Sequence, residues 1–178
     1  MRKHFHHVRR ALNDLLHPPP APQPSHTSSL ATLLPLLDRA VFLQPQAEQV
    51  IQECAAPGKP AEDLAQRGNA VVVGYWKLRR DLLPIEVSVV DRPVKERIRS
   101  LLLYHEWSVH EAVDCACSPQ QTGKMRIARA QMRGLGAPGT RLRELRQDLS
   151  AEYAALTGPG SDQEENGGPA ACRPSQAP

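Results

Sequence analysis

The sequence predicts an all-α fold, a single bundle of four to six helices, and three observations predict it. Apolar residues recur at helical spacing through most of residues 30–157, as in Leu64, Gly68, Val71, Tyr75, Leu78 and Leu82. Seventeen prolines and eleven glycines in 178 residues gather mainly at 18–29, 57–60 and 158–178, so they punctuate the apolar stripes. Aromatic residues are few, two Phe, two Trp and three Tyr, which leaves Leu, Val, Ile and Ala to build a core of closely packed helices.

Three regions follow. Residues 1–27 read as a basic leader and Pro-rich linker, 28–157 as the bundle, and 158–178 as a disordered tail. In the leader, Phe5, Val8, Leu12, Leu15 and Leu16 fall on one side of a short amphipathic helix. Pro18, Pro19, Pro20, Pro22 and Pro24 then impose an extended, semi-rigid spacer. The leader is Arg-rich and acid-poor, as transit peptides are, but residues 1–17 contain no Ser or Thr, and no uninterrupted apolar stretch of a secretory signal is present.

The first bundle helix is SSLATLLPLLDRAVFL, with Ser28, Ser29 or Thr32 as its N-cap. Pro45 is expected to divide it from a second short helix, PQAEQVIQECAA, which Pro57-Gly58 ends. The stripe from Leu64 to Leu82 predicts a third helix within 60–83, although VVVGYW (71–76) also carries strand propensity. Pro84 stops it, and IEVSVV (85–90), lacking a partner strand, reads as an extended connection. Residues 93–116 form the longest candidate, with Pro93 in the tolerated first turn and a length of about 36 Å. A shorter helix, 123–134, ends at GLGAPGT. Thr140 is expected to cap the last one, whose stripe is Leu142, Leu145, Leu149, Tyr153 and Leu156. Helices 60–83 and 93–116 are expected to form a central hairpin.

Residues 104–117, YHEWSVHEAVDCAC, concentrate residue types that bind metals. Helical geometry argues against a site there. His105 and His110 are five residues apart and point about 140° from each other on one helix. A zinc-protease helix needs H-E-x-x-H, whereas this one has H-E-x-x-x-H; the di-iron pattern needs Glu-x-x-His, whereas Glu106 and His110 are four apart. On the wheel, Val94, Ile98, Leu101, Leu102, Val109, Ala112 and Ala116 form the apolar face with His105 near its centre. Glu106, His110 and Asp114 then read as a solvated i,i+4 ladder. His105 reads as a core histidine that requires hydrogen-bond partners.

Net charge is only +3, but the cations are unevenly placed. Lys124, Arg126, Arg129, Arg133, Arg141, Arg143 and Arg146 crowd one region, which makes 124–146 the candidate for nucleic-acid binding. The turn between its two helices is longer than a helix-turn-helix allows. Lys77, Arg79 and Arg80 beside Tyr75 and Trp76 offer a weaker version of the same idea. His4, His6 and His7 in the leader form a possible adventitious metal cluster.

No apolar run approaches the ~20 residues of a membrane span. Four cysteines, Cys54, Cys115, Cys117 and Cys172, contain no C-x-x-C pair and fit a reduced cytoplasmic setting. No phosphate loop, nucleophile elbow or cofactor motif is present, so no cofactor is expected. The leading expectation is a non-enzymatic protein-binding or regulatory module, through a protein partner or self-association. Nucleic-acid binding through 124–146 is the alternative. The second alternative is a small-molecule or enzyme pocket formed by His105, Tyr104 and Trp107.

Overall fold

Helix α1 (His26–Ala55) packs against every other helix among the described residues. In the computed structural model, which describes residues 23–118 and 122–158, it is followed by α2 (Leu64–Leu82), a 3-10 turn (Val89–Asp91), α3 (Arg92–Cys117), α4 (Gly123–Gln131) and α5 (Gly136–Thr157). The all-α expectation holds, and no strand occurs among the described residues. The leader helix, His4, His6 and His7, Cys172, Pro119 and the C-terminal tail lie outside the described residues.

Two expectations about α1 are corrected. It is one helix of 30 residues, not two, with both Pro35 and Pro45 inside it. Each proline removes a backbone N–H bond and should break a helix standing alone. Both project to solvent, however, while Leu33, Leu37, Ala40, Gln44, Ala47 and Ile51 keep an unbroken buried stripe past them. Tertiary packing along that stripe outweighs two lost backbone bonds. The N-cap is Ser25, whose Oγ accepts the Ser28 N–H at 3.1 Å. The expected caps therefore fall inside the helix, and His26, placed in the linker by sequence, belongs to its first turn.

The α2 stripe is as expected: Leu64, Gly68, Val71, Tyr75, Leu78 and Leu82 are its buried residues. VVVGYW is helical, since tertiary burial overrides its strand propensity. Gly68 lets α2 approach α3 closely, because a Cβ there would stand 2.3 Å from Val113 Cγ2. Helices α2 and α3 do form an antiparallel hairpin, as their pairings Gly68–Val113 and Tyr75–His105 show. That hairpin is the most extensive helix pairing among the described residues, and α1 and α3 each pack against every other helix. Residues 85–88 stay irregular, turning Ile85 and Val87 toward the core and Glu86 outward. The buried Ser29 Oγ accepts the Ser88 N–H at 2.8 Å, and Lys95 Nζ donates to the Ile85 and Leu83 carbonyls at 2.6 and 3.0 Å.

Thr122 caps α4, and α4 ends at Gln131, before Arg133. The last helix starts at Gly136, so Thr140 lies inside it and is not its cap. The cap function falls instead to Glu48 of α1, whose Oε1 accepts the Leu135 N–H at 3.1 Å. A carboxylate is well placed at a helix N-terminus, where unpaired N–H groups and the helix dipole attract it. Gly134 makes the turn at φ +77°, and a Cβ there would run into the Glu48 carboxylate. In α5, Leu142, Leu145 and Leu149 are buried, Tyr153 is half-buried, and Leu156 is exposed.

Candidate functional site

His105 occupies the middle of the core and is fully buried. Its Nδ1 lies 2.6 Å from the Leu101 carbonyl, which can only accept, so Nδ1 carries the proton. Its Nε2 then accepts from Gln44 Nε2 at 3.0 Å. The second amide hydrogen of Gln44 goes to the Gly139 carbonyl at 2.9 Å, and Gln44 Oε1 accepts from Arg143 at 3.0 Å. Burial, opposed by the Leu101 carbonyl and aided by the Arg143 charge, pushes the His105 pKa below its ordinary value. His105 is thus a satisfied, neutral core histidine joining α1, α3 and α5.

Tyr104 and Trp107 do not join His105 in a concave wall. Both are exposed, at 39% and 57%, while His105 is fully buried, with the Tyr104 ring edge-on to it at 6.3 Å. His105 itself, at 0% exposure, offers no surface to a ligand. His110 is exposed and pairs with Asp114 at 3.3 Å, which leaves it on a different face from His105. The expected ladder is corrected at Glu106. Its carboxylate is only 18% exposed and accepts from Arg79 of α2 at 3.0 and 3.2 Å, so it ties the hairpin together. Among the described residues, no three His, Cys, Asp or Glu side chains converge to hold a metal ion.

The basic region divides into two kinds of residue. Arg129 is buried, and its guanidinium donates to the Cys54 carbonyl and, at 2.5 Å, to the Ala56 carbonyl. It satisfies the carbonyl end of α1, where a cation also complements the helix dipole. Arg143 is committed to Gln44, and Arg146 to Asp38 at 2.7 Å. Lys124, Arg126, Arg133 and Arg141 remain exposed. In α2, Tyr75 is buried, Arg79 pairs with Glu106, and Arg80 lies 5.1 Å over the Trp76 ring.

A second polar cluster was not legible in the sequence. His26 Nδ1 lies 2.8 Å from the buried Asp91 carboxylate, and Nε2 lies 3.1 Å from Glu152. Ser88 Oγ donates to Asp91 as well. The Asp91 hydrogen bond, with Glu152 adding to it, raises the His26 pKa above 6.5. This cluster joins the start of α1, the start of α3 and the end of α5.

The surface feature that stands apart lies between α1 and α2. Asp38, Arg39, Phe42 and Leu43 of α1 face Gly74, Lys77 and Leu78 of α2 across an open groove of about 470 Å³. Phe42 is 74% exposed, more than any other large apolar side chain among the described residues. Gly74 brings the helices together at the groove floor, since a Cβ there would lie 3.0 Å from Leu43 Cδ1. Val73 and Trp76 of α2 are also exposed, at 45% and 43%. The exposed face of α1 is broken by its prolines, so Phe42 carries no periodic signal that would single it out in the sequence.

Among the described residues no helix is long and apolar enough to cross a membrane. Comparison of the chain with protein-family models, curated proteins and solved structures finds no match.

Proposed function

We propose that this chain is a non-enzymatic protein-binding module of the cytoplasm whose contact surface is the α1/α2 groove. The observation that carries the reading is Phe42, held 74% exposed beside a recess lined by Leu43, Gly74 and Leu78. A large aromatic left in water beside an apolar recess is a poor surface feature for an isolated domain and a typical anchor for an interface. Lys77, Arg39 and Asp38 give the recess a charged rim, the usual surround of such an anchor. The two histidine clusters, one buried around His105 and one partly exposed around His26, support a non-enzymatic role, because their polar atoms are engaged in joining helices.

A photoreactive phenylalanine analogue introduced at position 42, and separately at Arg99 on α3, tests the reading in cells. The expected result is a discrete covalent adduct from position 42 and none from position 99. The captured protein, once purified, should bind the wild-type chain about tenfold or more tightly than it binds Phe42→Ala. Equal capture from both positions, with affinity indifferent to Phe42→Ala, would remove the groove as the contact surface.

A further inference from the structure

We infer that the occupant of the α1/α2 groove is a second copy of this chain, each protomer inserting Phe42 into the groove of the other about a two-fold axis. This rests on the groove being the contact surface and adds the identity of the partner. The first support is shape. One face carries a projection, Phe42, immediately beside a recess floored by Leu43, Gly74 and Leu78. A two-fold axis requires a surface to be its own complement, and a knob adjoining a hole satisfies that requirement twice in one contact.

Charge is the second support. Asp38 stands on the α1 rim and Lys77 on the α2 rim. Asp38 is bonded to Arg146, whereas Lys77 makes no ion pair among the described residues. With Phe42 seated in the opposing groove, the α1 helix of the second copy crosses that groove. Its Asp38, one helical turn before Phe42, then comes within reach of the waiting Lys77. Each protomer carries one partner of this ion pair on each rim, so a two-fold contact forms the Asp38–Lys77 pair twice.

The in-chain alternatives fit less well. The leader carries Arg2, Lys3, Arg9 and Arg10 against a single acid, Asp14, so it offers Lys77 little counter-charge, whereas a second copy offers Asp38. Residues 159–178 are acidic but contain no Leu, Ile, Val, Met or aromatic side chain to fill an apolar recess. The contact is small, one anchor each way, and places the dimer among weak, reversible associations with a Kd on the order of tens of micromolar.

Sedimentation velocity of the full chain up to about 200 µM provides the test. A concentration-dependent shift from monomer to dimer is expected. Phe42→Ala should weaken association about tenfold or more, and Lys77→Glu should weaken it severalfold and abolish its salt dependence. Both side chains are exposed, so circular dichroism melts of the two variants should match the wild type and exclude misfolding as the cause. The photoreactive analogue at position 42 should cross-link the dimer, with adducts mapping to residues 74–78. A chain that stays monomeric throughout, a dimer insensitive to Phe42→Ala, or adducts mapping elsewhere overturns the inference. Capture of a different protein at position 42 by a strictly monomeric chain overturns it too, while leaving the groove as a protein contact surface.

Discussion

Gln44 and His105 meet at the centre of the bundle with their Nε2 atoms 3.0 Å apart, and that contact fixes the charge state of the core. Gln44 must donate there, because its oxygen is turned toward Arg143. Protonating His105 would set two donors against each other. Flipping Gln44 to relieve the clash would strip the Gly139 carbonyl and point an amide at the Arg143 cation. Replacing Gln44 by Leu should cost about 1–3 kcal/mol for each buried group left bare, the Gly139 carbonyl and His105 Nε2. Urea denaturation compared with the wild type measures this.

The buried His105 and the half-buried His26 should give stability opposite pH slopes. The folded-state pKa of His105 lies below 6.5, so the unfolded chain binds the proton more readily. Its contribution is present above about pH 6.5 and is lost as pH falls toward and through the folded value. The folded-state pKa of His26 lies above 6.5, so its contribution is present below about pH 6.5 and is lost as pH rises through that raised value. Thermal melts across pH 4–9 should show His26→Asn flattening the alkaline limb and His105→Gln flattening the acid one. The reverse assignment, or no change in either limb, would contradict the two geometries.

The close approach at Gly68 predicts an unusual response to alanine. Alanine is the better helix former by about 1 kcal/mol, yet here the new methyl would lie 2.3 Å from Val113 Cγ2. Overpacking costs typically about 1–3 kcal/mol, so Gly68→Ala should be destabilising on balance. Gly123→Ala, which meets nothing within 4 Å, should be neutral or stabilising. Adding Val113→Ala to Gly68→Ala should recover part of the loss, a coupling that a double-mutant cycle reads directly.

These cases show where the sequence is legible. The six buried residues of α2 and the face around His105 follow from helical period alone, which one chain segment displays by itself. What escaped the sequence depends on which segments meet. Pro35 and Pro45 are tolerated because their side of α1 faces water. Glu106 leaves its expected ladder because α2 brings Arg79 beside it. The cap of α5 is Glu48, 87 residues upstream of Leu135, a distance at which no local motif operates. The groove has the same origin, being the gap that two helices leave where Gly74 meets Leu43.

Glu106 should therefore matter more than an exposed ladder residue. Glu106→Ala removes a two-point, mostly buried contact with Arg79 and is expected to cost about 1–2 kcal/mol. His110→Ala, which breaks only the exposed pair with Asp114, should cost less than about 0.5 kcal/mol. Leu101→Ala, in the core, should exceed both at about 2–5 kcal/mol. Denaturant midpoints that ranked His110 above Glu106 would contradict the Arg79 contact.

Arg129 separates structural from surface cations within the basic region. Its guanidinium reaches the carbonyls of Cys54 and Ala56 at the C-terminus of α1, an end with no basic residue of its own. A lysine there keeps the charge but lacks the planar fork that serves two carbonyls at once. Arg129→Lys should thus destabilise the bundle by about 1–2 kcal/mol, and Arg129→Met by about 2–3 kcal/mol, since each loses charge-assisted bonds in a buried setting. Hydrogen exchange should quicken in 52–56 and 123–131 together, because the arginine is the link between them. Arg126→Met, on the exposed side of α4, should leave both segments unchanged. If Arg126 and Arg129 proved equally dispensable to stability and exchange, Arg129 would have to be returned to the surface with its neighbours.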